Sequence, residues 1–129
     1  MIAAGEPANQ PEEHSMTEGL RTIIFPVTDT AVAKRVYAAL LGTEPSTDEP
    51  YYVAFDVGGQ HVGLDPNGHS HGMTGPVGYW HVADIEATLA SLVAAGAEVH
   101  QGARNVGGGR LIASVKDADG NVTGLIQDP

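Results

Sequence analysis

The sequence predicts an α+β protein made of two paired βαβββ modules, and three observations carry the prediction. Short β-branched runs alternate with two stretches in which apolar residues recur every three to four positions. Each of those stretches opens on an aspartate and closes on a glycine, Asp29 with Gly42 and Asp84 with Gly96. The segment Val27-Thr-Asp29 returns as Val82-Ala-Asp84 about 55 residues later, so the halves match element for element.

Taken in order, residues 1–19 hold Gly5, Pro7, Pro11 and several glutamates with no apolar period, and read as a disordered leader in which Met16 is an alternative start to Met1. Residues 20–129 read as one domain, with module one over about 20–67 and module two over about 76–128. Thr22-Ile-Ile-Phe-Pro-Val27 is a strand, and Val32, Val36 and Leu40, four apart, mark the helix that follows. Tyr51 to Val57 and Gln60 to Leu64 form a hairpin across Gly58-Gly59, a pair suited to a two-residue turn. In the second half Val77 to Val82 is a strand, and Ile85, Leu89, Leu92 and Val93 lie on a helix. Arg110 to Val115 and Val122 to Ile126 are strands joined by the turn Asp117-Ala-Asp-Gly-Asn121. One module has too few strands to cover both faces of its sheet, so two must pair, within a chain or between chains.

Composition removes several classes of function. With no cysteine there is no disulfide, no thiolate ligand and no thiol nucleophile. Six Lys+Arg against sixteen Asp+Glu leave a net charge of −10, which repels phosphate backbones and anionic membranes, so neither nucleic acid nor a membrane is an expected partner. No apolar run approaches the ~20 residues that cross a bilayer. The start lacks the basic and apolar regions of a secretory signal, so a cytoplasmic location is expected.

Phe25-Pro-Val-Thr-Asp29, Trp80-His-Val-Ala-Asp84 with Ala95-Gly-Ala-Glu-Val99, and Asp117-Ala-Asp-Gly-Asn121, in this order, make the chain resemble the glyoxalase, bleomycin-resistance and extradiol-dioxygenase superfamily, the vicinal oxygen chelate (VOC) proteins. The resemblance covers roughly residues 20–128. It implies an open, cup-shaped mixed sheet with the helices outside and a ligand site inside. Strand alternation then sends Ile23, Phe25, Val27, Gly78, Trp80 and Val82 under the helices, and Thr22, Ile24, Pro26, Val77, Tyr79 and His81 toward the cup. The resemblance also implies four metal-ligand positions, a histidine near the start and a glutamate near the end of each module. Here they carry Thr22, Gly63, Val77 and Gly124, none of them a usual side-chain ligand. No metal and no other cofactor is therefore expected. With glycine at both carboxylate positions, the cup floor is expected to lose charge and gain room for a bulky or planar ligand.

The candidate ligand-binding residues are Tyr52, His61, Asp65, Tyr79, His81 and Arg110. His61, Gly63 and Asp65 share a strand face, Tyr79 and His81 share another, and together they form an expected polar cluster able to orient a ligand or move a proton near neutral pH. The parity of Val53, Phe55 and Val57 turns Tyr52 rather than Tyr51 to the cup. Gly107-Gly-Gly-Arg110 lacks the Gly-Lys-Ser/Thr ending of a phosphate loop and reads as a flap that makes Arg110 available to an anionic group. Trp80 is expected in the core, and His69-Ser-His71 in a loop.

The expected function is the binding of a small organic molecule in a metal-free cup, as drug or metabolite sequestration, by a homodimer; no catalytic residue is assigned. The alternatives are a metal-dependent lyase, isomerase or dioxygenase with a displaced site drawn from His61, Asp65, His81 or the loop histidines, and a non-catalytic module whose cup only supports dimerisation.

Overall fold

The computed structural model describes residues 17–129. Its elements are β1 (Thr17–Pro26), α1 (Thr30–Leu41), β2 (Thr47–Glu49), β3 (Tyr52–Val57), β4 (Gln60–Asp65), a 3-10 turn (His69–His71), β5 (Val77–Val82), α2 (Ile85–Ala94), β6 (Glu98–Asn105), β7 (Leu111–Lys116) and β8 (Val122–Gln127). β1 begins at Thr17, inside the stretch read as leader; residues 1–16 lie outside the described residues.

The local devices are those the sequence signals. Asp29 Oδ1 accepts the Val32 amide at 3.1 Å and Asp84 Oδ1 accepts the Ala87 amide at 3.0 Å, satisfying donors that the first helical turns leave free. Gly58 and Gly59 both take positive φ, 56° and 79°, as a type I′ turn between β3 and β4 requires.

All eight strands join one sheet in the order β2-β3-β4-β1-β5-β8-β7-β6. β1 runs parallel to β4 and β5 parallel to β8, which makes the sheet mixed. The modules meet along the antiparallel pair β1 and β5, within this one chain. Register shifts interrupt that pair between Thr17 and Gly19 and between Leu20 and Thr22, and such bulges bend the strands they occupy.

Two apolar clusters fill the helix side. Val53, Phe55, Val62 and Leu64 pack with Ile23, Phe25, Val27, Ala33, Tyr37, Ala38 and Leu41. Val82, Ile85, Leu89, Ala113, Val115 and Leu125 pack with Leu92, Ala97, Ala103 and Leu111. Full burial of side chains this size is worth about 1.5–3 kcal/mol each.

One expectation about this face needs correction, that of Trp80 in the core, and the packing of α1 adds a finding. Val32, Val36 and Leu40, the residues that reveal α1 in the sequence, are 45%, 56% and 73% exposed; the helix packs through Ala33, Tyr37, Ala38 and Leu41 instead. Small Ala33 and Ala38 let the helix lie close to the sheet, and the larger aliphatics fall on the outer side. Trp80 is not in either core cluster and is 37% exposed. α1 packs over β3 and β4 and α2 over β6, β7 and β8, so Trp80 on β5 and its cross-strand partner Leu20 lie between the helices.

Candidate functional site

On the face away from the helices the sheet bounds a cavity of about 990 Å³, lined by residues of both modules, Thr22, Ile24, Tyr52, His61, Asp65, Val77, Tyr79, Arg104 and Arg110 among them. A smaller cavity of about 530 Å³ adjoins it and shares Thr22, His61 and Arg110. The larger volume matches that of sites for small organic ligands. Gly107 and Gly108 stand on its rim, where the sequence places a flap.

Pairing across the sheet sets the polar floor. Asp56 on β3, His61 on β4, Thr22 on β1, Tyr79 on β5, Gly124 on β8 and Ser114 on β7 are successive cross-strand partners. Cross-strand partners project to the same side of a sheet, so this row forms a band across the cup.

His61 stands between two partners. Its Nδ1 lies 2.9 Å from Asp56 Oδ1 and its Nε2 lies 2.9 Å from Tyr52 Oη. An ionised carboxylate can only accept, so Nδ1–H donates to Asp56, and in the neutral ring Nε2 accepts the Tyr52 hydroxyl. The Tyr52 and His61 rings are stacked within 20° of parallel. His81 repeats the arrangement: Nδ1 is 3.3 Å from Asp128 Oδ2, and Nε2 is 2.9 Å from Thr22 Oγ1. Arg110 grips Asp128 through Nε and Nη2, both 2.9 Å from Oδ1.

Hydrogen bonds from Ser46 and His61 hold the Asp56 carboxyl below its ordinary range. A carboxyl with a depressed folded-state value adds stability above its unfolded value, about 3.9, and loses it as pH falls through the lower folded value. The acid limb of a melting-temperature profile is therefore expected to flatten in Asp56→Asn. An unchanged limb would contradict the Ser46 and His61 bonds. Burial raises the Tyr52 phenol well above its ordinary value, and neighbouring Asp65 adds to the rise. Burial also raises the Tyr79 phenol, against the lowering effect of Arg104 and with a smaller rise from Asp65. Both phenols are thus neutral donors near pH 7.

The two glycines do not leave the open floor that the sequence suggests. A Cβ built at Gly63 would collide with Tyr52 Oη, and one at Gly124 would collide with the ring of Tyr79. The space a side chain would take at each position is filled by a tyrosine from a neighbouring strand. This also decides the fit of a metal at the family positions. Gly63 and Gly124 offer no donor and no room for a carboxylate. Val77 is apolar and buried, and the Thr22 hydroxyl is engaged by His81. Among the described residues no group of three or more His, Cys, Asp or Glu side chains is placed to hold an ion, the loop histidines His69 and His71 included.

Of the six candidates, Tyr52, His61, Asp65, Tyr79 and Arg110 line the larger cavity and His81 the smaller. They do not form one cluster. His61 and His81 each turn to an aspartate of their own, and Asp65 accepts the Asn67 amide of its own turn at 2.8 Å. Arg110 lines both cavities but is paired with Asp128, so it is not a free cation. Asp56, Thr22, Arg104 and Asp128 belong to the site and were not among the candidates. Asp56 was within reach of sequence reasoning, because it faces His61 directly across the Gly58-Gly59 hairpin.

No helix of the described residues is long and apolar enough to cross a membrane. No curated protein sequence matches the chain. Among solved structures, it is similar to one described as an NAD-dependent benzaldehyde dehydrogenase from Legionella pneumophila (TM-score 0.70, 16% identity, covering 84% of this chain and 98% of that one). It is also similar to methylmalonyl-CoA epimerase from Mycobacterium tuberculosis (TM-score 0.64, 19% identity, 90% and 91% covered). A third is a glyoxalase/bleomycin resistance protein/dioxygenase superfamily member from Vibrio splendidus (TM-score 0.65, 22% identity, 85% and 99% covered). At these identities the likenesses speak for the fold. The model of the Glyoxalase/Bleomycin resistance protein/Dioxygenase superfamily matches residues 19–125, and to that superfamily the chain belongs.

Proposed function

We propose that the protein binds a small organic molecule with an acidic group in a metal-free cup. The observation that carries this reading is the floor: where the family resemblance places carboxylates, Gly63 and Gly124 are covered by the neutral tyrosines Tyr52 and Tyr79. Flat, half-polar rings with hydroxyl ends suit a planar organic body and suit a divalent cation poorly. The acidic group follows from charge. Arg104 lines the larger cavity and among the described residues has no ion-pair partner, whereas Arg21 and Arg110 on the cavity borders are paired with Glu18 and Asp128. A homodimer in the cytoplasm remains the expected setting, and sedimentation of the purified chain measures the first part.

The reading is tested on untagged protein by metal analysis and by melting in the presence of aromatic carboxylates, planar antibiotics and a CoA thioester. The expected result is no stoichiometric divalent ion and a raised melting temperature with at least one acidic compound, lost in Arg104→Ala. One ion per chain, with activity lost on chelation, would support the metal-dependent rival. No shift with any compound would leave the cup a structural feature of assembly.

A further inference from the structure

Resting on that reading, we infer that the cup also catalyses proton transfer on its ligand, with Tyr52, His61 and Asp56 as the acid–base relay and Tyr79 as the donor to the ligand's oxygen. The relay has the parts that general base catalysis needs: a hydroxyl facing the cavity, an imidazole 2.9 Å behind it, and a carboxylate 2.9 Å behind that, fixing the tautomer. Holding a ligand against one hydroxyl needs no histidine and no aspartate. Tyr79 supplies the complementary part. Its ring lies on Gly124, it faces the same cavity, and among the described residues its hydroxyl has no hydrogen-bond partner. Burial keeps that phenol neutral, as a donor to a developing oxyanion must be.

The ligand class that fits is a carbonyl compound with an acidic C–H beside the carbonyl and a carboxylate for Arg104, a 2-oxo acid being the simplest. The C–H bond breaks and its electron pair becomes the C=C bond of an enolate. The proton goes to Tyr52 Oη while the proton of Tyr52 passes to His61 Nε2. The resulting imidazolium keeps Nδ1–H on Asp56, and the enolate oxygen accepts the Tyr79 O–H. Reversal returns a proton to carbon, so the step needs neither oxidant nor reductant. Tyr52 and Tyr79 touch the ligand and are catalytic residues; His61 and Asp56 act through Tyr52.

The test follows phenylpyruvate in deuterated buffer by proton NMR, reading loss of its C3 hydrogens, with affinity measured on the same samples by line broadening. Exchange faster than in buffer is expected, falling on the order of 10²-fold in Tyr52→Phe and His61→Gln and less in Asp56→Asn and Tyr79→Phe, each read at saturating ligand so that a change of affinity does not enter. Asp56 is exposed, so Asp56→Asn keeps its fold if a floor variant does not. Bound phenylpyruvate that exchanges no faster than in buffer, or at full rate in Tyr52→Phe, would overturn the relay and leave the binding reading standing. Phenylpyruvate that does not bind at all would overturn the 2-oxo acid assignment and the relay with it, while the binding reading falls only if no compound in the melting series shifts the protein.

Discussion

Gly124→Val is expected to destabilise the protein by about 2–3 kcal/mol, measured by urea unfolding. Gly124 lies in a regular strand without positive φ, so its backbone accepts any side chain. The cost arises because a Cβ there meets Cγ, Cδ2 and Cε2 of Tyr79, the fixed base of the ring and not its free end. Tyr79 must leave the floor, and strand β8 or β5 must shift to let it. The double variant with Tyr79→Ala removes the collision. It is expected to be more stable than the sum of the single changes by about 1 kcal/mol or more. Simple additivity would mean that the ring does not lie where the structure has it.

Phe55→Ala carries the largest expected loss, about 3–5 kcal/mol. Phe55 is wholly buried between β4 and α1, in the cluster with Val53, Val62 and Leu64. Against a typical domain stability of about 5–15 kcal/mol, that removes a large share. Val36→Ser on the outer side of α1 is expected to change stability by only about 0.5 kcal/mol. The two variants, melted side by side, decide which stripe of α1 faces the sheet. A Val36→Ser loss as large as that of Phe55→Ala would put Val32, Val36 and Leu40 against the sheet and contradict the packing through Ala33, Tyr37, Ala38 and Leu41.

The elements legible in the sequence are those whose local chemistry is self-sufficient. Asp29 and Asp84 as caps, the Gly58-Gly59 turn, and the apolar alternation of β1, β3, β4, β5, β7 and β8 each announce themselves within a few residues. The two strands that went unread, Thr47–Glu49 and Glu98–Asn105, form the two edges of the sheet. Edge strands are polar because an apolar edge invites pairing with other chains, so the pattern that marks central strands is missing from them. The stripe of α1 announced a helix and not its packing, because periodicity reports that a helix has two sides, and not which side is buried.

The candidate site was legible residue by residue and not as an arrangement. Strand parity brings Tyr52, His61 and Tyr79 to the cup. The relays depend on contacts that parity does not contain: Asp128 reaches His81 across 47 positions, and Thr22 reaches it across 59. Glycine at positions 63 and 124 read as empty space because the sequence does not show that a tyrosine from the neighbouring strand leans over each.

The central place of β1 has a consequence for biosynthesis. Its first partner in the sheet, β4, ends at Asp65, but its other edge is closed only by β5, which starts at Val77. A nascent chain that has left the ribosome only as far as Gly75 can assemble module one and still present an open strand edge to its neighbours. Slow synthesis after Asp65 has emerged and before Val82 has would prolong that exposure. Translation speed in that interval should therefore govern how much of the protein is recovered soluble.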